Sequence, residues 1–272
     1  MNTAWLKAHL QDPDLVLLHV GEKPEYDATH IAGAHFITMA DLAAPRPADP
    51  ATGEVLELPT PEAARAKLEA FGVTDRSRII VYFGKDWVSP TTRIIFTLDW
   101  LGLGDRVSLL DGGMPAWQRD GGAVTADAPA SKAGKLSVRP VKDLTVTKEW
   151  VSENGTRDRI ALVDARSASF YDGVQSGRVK KGHIPGARSL PFEKPYSSDT
   201  NVLKTASELE QLFASAGIKP GDTVVGYCHI GQQATAMLFA ARTLGYKVLL
   251  YDGSFTNWEK HDLPVVVPPP KG

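Results

Sequence analysis

The chain repeats itself, and that repeat constrains its fold more than any other feature. Trp5 in TAWLKAH returns as Trp150 in TKEWVSE, 145 positions later. The run VLLHVGEKPEYD ending at Asp27 returns at the same spacing as ALVDARSASFYD ending at Asp172. His30-Ile-Ala-Gly-Ala then matches His183-Ile-Pro-Gly-Ala at a spacing of 153, so the second copy has gained eight residues around 173–181. The spacing returns to 145 at Ile80-Val-Tyr-Phe83 against Val225-Gly-Tyr-Cys228 and falls to 141 at Asp111-Gly-Gly against Asp252-Gly-Ser. Five markers in one order mean a tandem duplication of a single domain. A length of 272 residues suits two such domains. We expect them at 1–125 and 146–272, joined by an Ala-, Lys- and Pro-rich linker over 126–145.

Each copy reads as α/β. The β-branched runs LVLLHV, RIIVYF and VSLLDG, and in the second copy IALVDA, TVVGYC and KVLLYDG, look like fully buried strands of a parallel sheet. They alternate with the helical stretches PEAARAKLEAFG, TRIIFTLDWLG, SELEQLFASAG and ATAMLFAARTLG, which end at glycine as helix C-termini do. Strand–helix alternation predicts a mainly parallel sheet with right-handed crossovers and flanking helices.

Composition narrows the function classes. Thirty Lys and Arg against 32 Asp and Glu, with no polybasic run, leave no electrostatic footprint for nucleic acid or anionic lipid. No stretch approaches the roughly 18 apolar residues of a membrane helix. The first twenty residues carry His9, Asp12, Pro13 and Asp14 where a signal peptide has its apolar core. The expected compartment is the cytoplasm, or the periplasm if a secretion signal has been removed. A single cysteine rules out an internal disulfide framework and any multi-thiolate zinc site.

That cysteine is the candidate nucleophile. Cys228 closes the strand TVVGY and is followed by the short polar loop His229, Ile230, Gly231, Gln232 and Gln233, then by a helix beginning near Ala234. Chemistry in open α/β sheets gathers at the carboxyl ends of strands. With Gly231 free to take positive φ, such a loop can turn successive backbone N–H groups inward ahead of a helix N-terminus. A thiolate there would be stabilised and nucleophilic, and an anionic intermediate on its sulfur would be held by the same groups. A lone cysteine otherwise packs as a small apolar side chain. The strand end, the loop and the helix start together favour the nucleophile.

The order of these motifs resembles the tandem form of the rhodanese (sulfurtransferase) family. The likeness covers nearly the whole chain through LVDARS at 162–167, GHIPGA at 182–187, the cysteine loop at 228–233 and YDGSFTNW at 251–258. The family implies an inactive first domain, and Phe83 stands where the second copy has Cys228. It implies a ping-pong reaction without metal or organic cofactor. The Cys228 thiolate takes the outer sulfur of a small anionic donor as a persulfide and passes it to cyanide or a thiol acceptor. It also implies a basic residue near GHIPGA that meets the donor anion. Arg178, Lys181 and Arg188 are the candidates, with Lys180 beside them. Arg178 is preferred because it lies in the insertion and because a guanidinium fork suits a sulfonate or carboxylate; a solvated basic loop is the competing reading.

The remaining residues divide less sharply. Arg166 reads as a brace paired with a carboxylate. His30 and His183 recur in both copies and so read as structural. His229 reads as a cation beside the persulfide or as a solvent-facing side chain. Trp87 reads as a cleft wall or as core. The loop CHIGQQ holds no Arg or Lys and does not follow the C-G-S-G-V-T pattern of 3-mercaptopyruvate enzymes. Thiosulfate is the preferred donor, because His229 is bulky and partly cationic, and 3-mercaptopyruvate is the alternative. A Cys-x5-Arg phosphatase is disfavoured by Ala234. A binding module that has lost its chemistry is disfavoured by the intact loop. A persulfide carrier serving a protein acceptor stays open. The default oligomeric state is monomer.

Overall fold

The computed structural model describes residues 1–49, 53–85, 88–130, 133–176 and 179–269. It divides into two compact units. The first comprises Met1–Pro45, Leu58–Val141 and Asp199–Leu203, and the second comprises Arg46–Glu57, Lys142–Ser198 and Lys204–Gly272. Each unit thus includes a short segment from the other half of the sequence. In the first, the Leu203 N–H donates to Asp111 Oδ1 at 2.9 Å. In the second, Lys260 Nζ donates to the Gly53 carbonyl.

The strands, in chain order, are β1 (Leu15–Val20), β2 (His30–Ile31), β3 (Ala34–Ile37), β4 (Arg78–Phe83), β5 (Val107–Leu109), β6 (Val124–Thr125), β7 (Thr145–Val146), β8 (Ile160–Asp164), β9 (Arg188–Ser189), β10 (Thr223–Tyr227) and β11 (Lys247–Tyr251). The first unit holds a parallel sheet in the order β3-β1-β4-β5 and a two-stranded antiparallel pair, β2-β6. The second holds a parallel sheet in the order β7-β11-β10-β8-β9. The central strands β1, β4, β8 and β10 are buried at every position but the first, which is why they read as unbroken apolar runs. Apolar area removed from water is the main stabilising term here, about 25 cal/mol per Å². It is concentrated in one core around Leu17, Ile80, Tyr82 and Trp117 and another around Leu162, Val225, Tyr227 and Trp258.

The copies share their punctuation. The helices Pro61–Ala70 and Ala206–Ser215 both start at a threonine whose side chain accepts an N–H of the first turn. Both are followed by a left-handed glycine, Gly72 (φ +81°) or Gly217 (φ +75°). The next N–H, of Val73 or Ile218, then bonds back to Leu68 or Phe213. That is the Schellman closure, which an L-residue would strain.

Of the stretch read as linker, residues up to Val141 group with the first unit. Gly134 N–H donates to the Glu69 carbonyl at 2.7 Å, Leu136 N–H to Glu69 Oε1 at 2.9 Å, and Ser137 N–H to Asp75 Oδ1 at 2.7 Å. Leu136 is buried. With Arg139 N–H donating to the Leu101 carbonyl and Val141 N–H to the Trp100 carbonyl, five satisfied N–H groups and one apolar side chain lay this low-complexity segment onto the unit before it.

Candidate active site

Strand β10 carries Cys228 to the carboxyl edge of the second sheet, flanked by β8 and β11. The thiol is fully buried. Its backbone is held from both sides: the Cys228 N–H donates to Ser254 Oγ at 3.2 Å, and its carbonyl accepts from Phe255 N–H at 3.0 Å. The His229 carbonyl accepts from Thr256 N–H at 3.1 Å. The loop then turns at Gly231 (φ +79°), and Gln232 (φ −82°, ψ −63°) leads into the helix Gln233–Thr243. The change in sign of φ between neighbouring residues is the backbone alternation that gathers N–H groups on one side. The helix starts one residue before Ala234, where it was expected.

Ser254 is a residue that sequence reasoning passed over. It is fully buried, sits at φ +53°, and donates to the Tyr251 carbonyl at 2.8 Å while accepting from Cys228. Its counterpart in the first copy is Gly113, in the same left-handed conformation at φ +55°. A Cβ on Gly113 would lie 2.6 Å from the Phe83 ring. Phe83 therefore requires a glycine opposite it, whereas the smaller Cys228 leaves room for a serine whose hydroxyl holds the cysteine backbone. The signal was legible in the aligned pair DGG and DGS.

Beneath the loop lies a buried ion pair. Arg166 Nη2 is 2.6 Å from Asp164 Oδ2 and its Nε is 3.0 Å from Oδ1, with both side chains wholly excluded from solvent. Asp164 also accepts from Tyr227 Oη at 2.8 Å and from the Arg166 N–H at 2.9 Å. Arg166 donates to the Gly182 carbonyl at 2.7 Å and lies 3.8 Å above the Phe255 ring. Burial works against the guanidinium charge, but the Asp164 hydrogen bonds and charge outweigh it and raise its pKa. The structure bears out the bracing role read for Arg166. It adds Asp164, whose first-copy counterpart is His19.

His183 and His30 are structural, as their repetition suggested. His183 stacks on Tyr171 at 3.7 Å with Nδ1 2.9 Å from the Tyr171 carbonyl; His30 stacks on Tyr26 at 4.0 Å with Nδ1 2.7 Å from the Tyr26 carbonyl. His229 stands where the first copy has Gly84. It is half-buried against the edge of Phe170 at 4.5 Å, and burial, then the Arg166 charge, hold its pKa below the ordinary value. Burial first, and then the Arg166 charge beneath the loop, both work against a cation at this position.

The basic candidates separate. Arg178 and Trp87 lie outside the described residues. Lys181 is exposed and bridges to Ser176 within the insertion. Lys180 is committed to Asp262 Oδ1 at 2.7 Å and the Leu263 carbonyl at 2.8 Å. Arg188 on β9 points to Asp222, 3.6 Å away, which lies before the start of β10 and so at the opposite end of that strand from Cys228. Glu259, also missed from sequence, fastens the insertion to the helix Ser254–Lys260: its Oε2 accepts from Val179 N–H at 3.1 Å and Lys180 N–H at 3.0 Å. The segment around residue 54 adds a further wall, since Glu54 and Val55 line a small cavity with Ile230, Gly253 and Asn257. Among the described residues, no group of three or more His, Cys, Asp or Glu could hold a metal ion. No helix among them is long and apolar enough to cross a membrane.

The rhodanese-like domain model matches residues 2–120 and again 147–261. The chain is 33% identical to a probable 3-mercaptopyruvate sulfurtransferase of Pseudomonas aeruginosa, over 93% of this chain and 92% of that one. It is 31% identical to the sulfur carrier protein TtuD of Thermus thermophilus, over 95% and 92%. Its fold superposes on the crystal structure of SseA from Escherichia coli, a 3-mercaptopyruvate sulfotransferase of the rhodanese fold. The TM-score is 0.80 at 25% identity, covering 94% of this chain and 98% of that one. The chain belongs to the rhodanese-like family, with two copies of its domain in tandem, and is a sulfurtransferase.

Proposed function

We propose that the enzyme moves sulfane sulfur from thiosulfate to cyanide or a thiol through a persulfide on Cys228. The observation that carries this reading is the chain's single thiol at the strand-to-helix turn, held by Ser254 and followed by the Gly231 turn. The Cys228 thiolate attacks the outer sulfur of thiosulfate. The sulfur–sulfur bond of the donor breaks, sulfite leaves with the bonding pair, and the protein keeps a cysteine persulfide. Cyanide then attacks the terminal sulfur, and thiocyanate departs as the thiolate is restored. Loop N–H groups and the following helix N-terminus stabilise the negative charge on sulfur at each stage. The donor anion is met by the basic segment of the insertion, with Arg178 and Lys181 as the binding residues.

A second reading is favoured by the lowered pKa of the half-buried His229 and by the Pseudomonas relative: 3-mercaptopyruvate as donor. There the carbon–sulfur bond breaks and the thiol proton passes to the departing carbon, giving pyruvate. Thiocyanate formation with each donor in parallel separates the two. Cys228→Ser is expected to abolish thiocyanate formation and the mass gain of one sulfur atom on the donor-treated protein, with an unchanged melting temperature. Sulfur transfer retained in that variant would end the proposal.

A further inference from the structure

The described part of the second copy's insertion carries apolar side chains as well as charge. Among the described residues seven large apolar side chains are exposed, and four of them gather at this insertion and the strand-like segment beside it. Val174 and Val179 are the most exposed of all, at 74% and 78%, followed by Val267 at 53%, with Val266 at 41%. Val266 pairs with His183 through two 2.9 Å backbone hydrogen bonds, next to the insertion's end. The Val267 side chain reaches both ends of the insertion, because a Cβ on Gly173 would lie 2.8 Å from its Cγ1 and one on Gly182 would lie 3.0 Å from its Cγ2. Scattered exposed valines need no explanation, but a cluster beside a candidate site does.

The described residues of the insertion are held at several points. Glu259 binds two of its N–H groups, Lys180 is tied to Asp262 and the Leu263 carbonyl, the Ser176–Lys181 bridge closes it, and Gln175 N–H donates to the Ser169 carbonyl at 2.9 Å. It adjoins the cysteine loop: Phe170, just before it, touches His229. The sequence VQSGRVKK over 174–181 has three basic residues and no acid, on a chain whose formal charge is −2.

We propose that Val174, Val179, Val266 and Val267, with Lys181 at their edge, form the docking surface for a protein acceptor of sulfur. The partner is a thiol-bearing chain that presents apolar and acidic side chains around its cysteine. The inference rests on the Cys228 persulfide. The acceptor thiol loses its proton to solvent and attacks the terminal sulfur. The persulfide bond breaks, Cys228 leaves as thiolate, and the acceptor carries the new persulfide, so no oxidant or reductant is consumed.

Two synthetic peptides test this with the full-length enzyme, one with a central cysteine flanked by leucine and glutamate and the other with lysine replacing glutamate. The acidic peptide is expected to accept sulfur about tenfold faster at low salt, with the advantage shrinking as salt rises. The double variant Val174→Ser/Val179→Ser is expected to lose about tenfold in transfer to the acidic peptide while thiocyanate formation stays within about twofold. Equal rates for the two peptides, or an unchanged preference in the double variant, would overturn the docking surface. Absence of any persulfide on Cys228 in the wild-type enzyme would instead overturn the reaction itself.

Discussion

Ser254 holds a left-handed backbone conformation that serine adopts only at a cost, and it keeps that conformation for two hydrogen bonds: one from Cys228 N–H at 3.2 Å and one to the Tyr251 carbonyl at 2.8 Å. Two substitutions separate strain from bonding. Ser254→Ala removes both bonds and leaves a buried N–H without its partner, a loss of about 1–3 kcal/mol, and relieves no strain. Ser254→Gly loses the same bonds but releases the left-handed strain, about 1 kcal/mol. The glycine variant should therefore be more stable than the alanine variant by about 1 kcal/mol, the order expected from Gly113 at the matching position. Activity should not follow stability. Both variants remove the same one of the two hydrogen bonds that hold the cysteine backbone, so both should lose about tenfold in kcat, the equivalent of about 1.4 kcal/mol of positioning. Urea unfolding midpoints measure the first effect and initial rates of thiocyanate formation the second. If glycine is as costly as alanine, the strain argument fails. If neither variant slows turnover, the hydrogen bond does not position Cys228.

Asp164→Asn should cost about 3–5 kcal/mol, because it leaves a fully buried guanidinium uncompensated, while Asp164→Leu/Arg166→Met should cost much less than Asp164→Asn. Unfolding curves showing less than about 1 kcal/mol for the single change would refute that account of the pair. In the first unit His19 takes the place of Asp164, with both ring nitrogens buried and without a hydrogen-bond partner among the described residues. Burial, then the charge of His30, lowers its pKa from 6.5 to about 4. The folded state therefore binds fewer protons than the unfolded state between those values. This contribution to stability is complete above pH 6.5 and is lost as pH falls towards 4, for a total of about 3 kcal/mol. His19→Phe should flatten the stability profile over that window, and parallel profiles would show that His19 does not titrate in this way.

Much of this was legible because duplication supplies an internal control. Strands β1 and β4 lie where the apolar runs LVLLHV and RIIVYF placed them, since a strand buried on both faces has no polar positions to blur its ends. The helix after the cysteine starts at Gln233, one residue early. Cys228 stood out because Phe83 occupies its counterpart. His30 and His183 could be set aside because both copies keep them.

What the sequence determined alone was the fold of each copy and the place of its single thiol at a strand end, because burial periodicity, turn residues and a unique cysteine are local properties of the chain. What only the tertiary structure decided was which distant groups meet. Ser254 reaches Cys228 across 26 residues, Glu259 fastens an insertion nearly 80 residues before it, and Arg188 turns away to Asp222. Segment 46–57 joins the second unit, and 199–203 joins the first. Burial and the Arg166 guanidinium together hold the His229 pKa below its ordinary value. Each of these depends on strand register, side-chain direction and the electrostatics of a water-excluded interior, which arise only once the chain has folded back on itself.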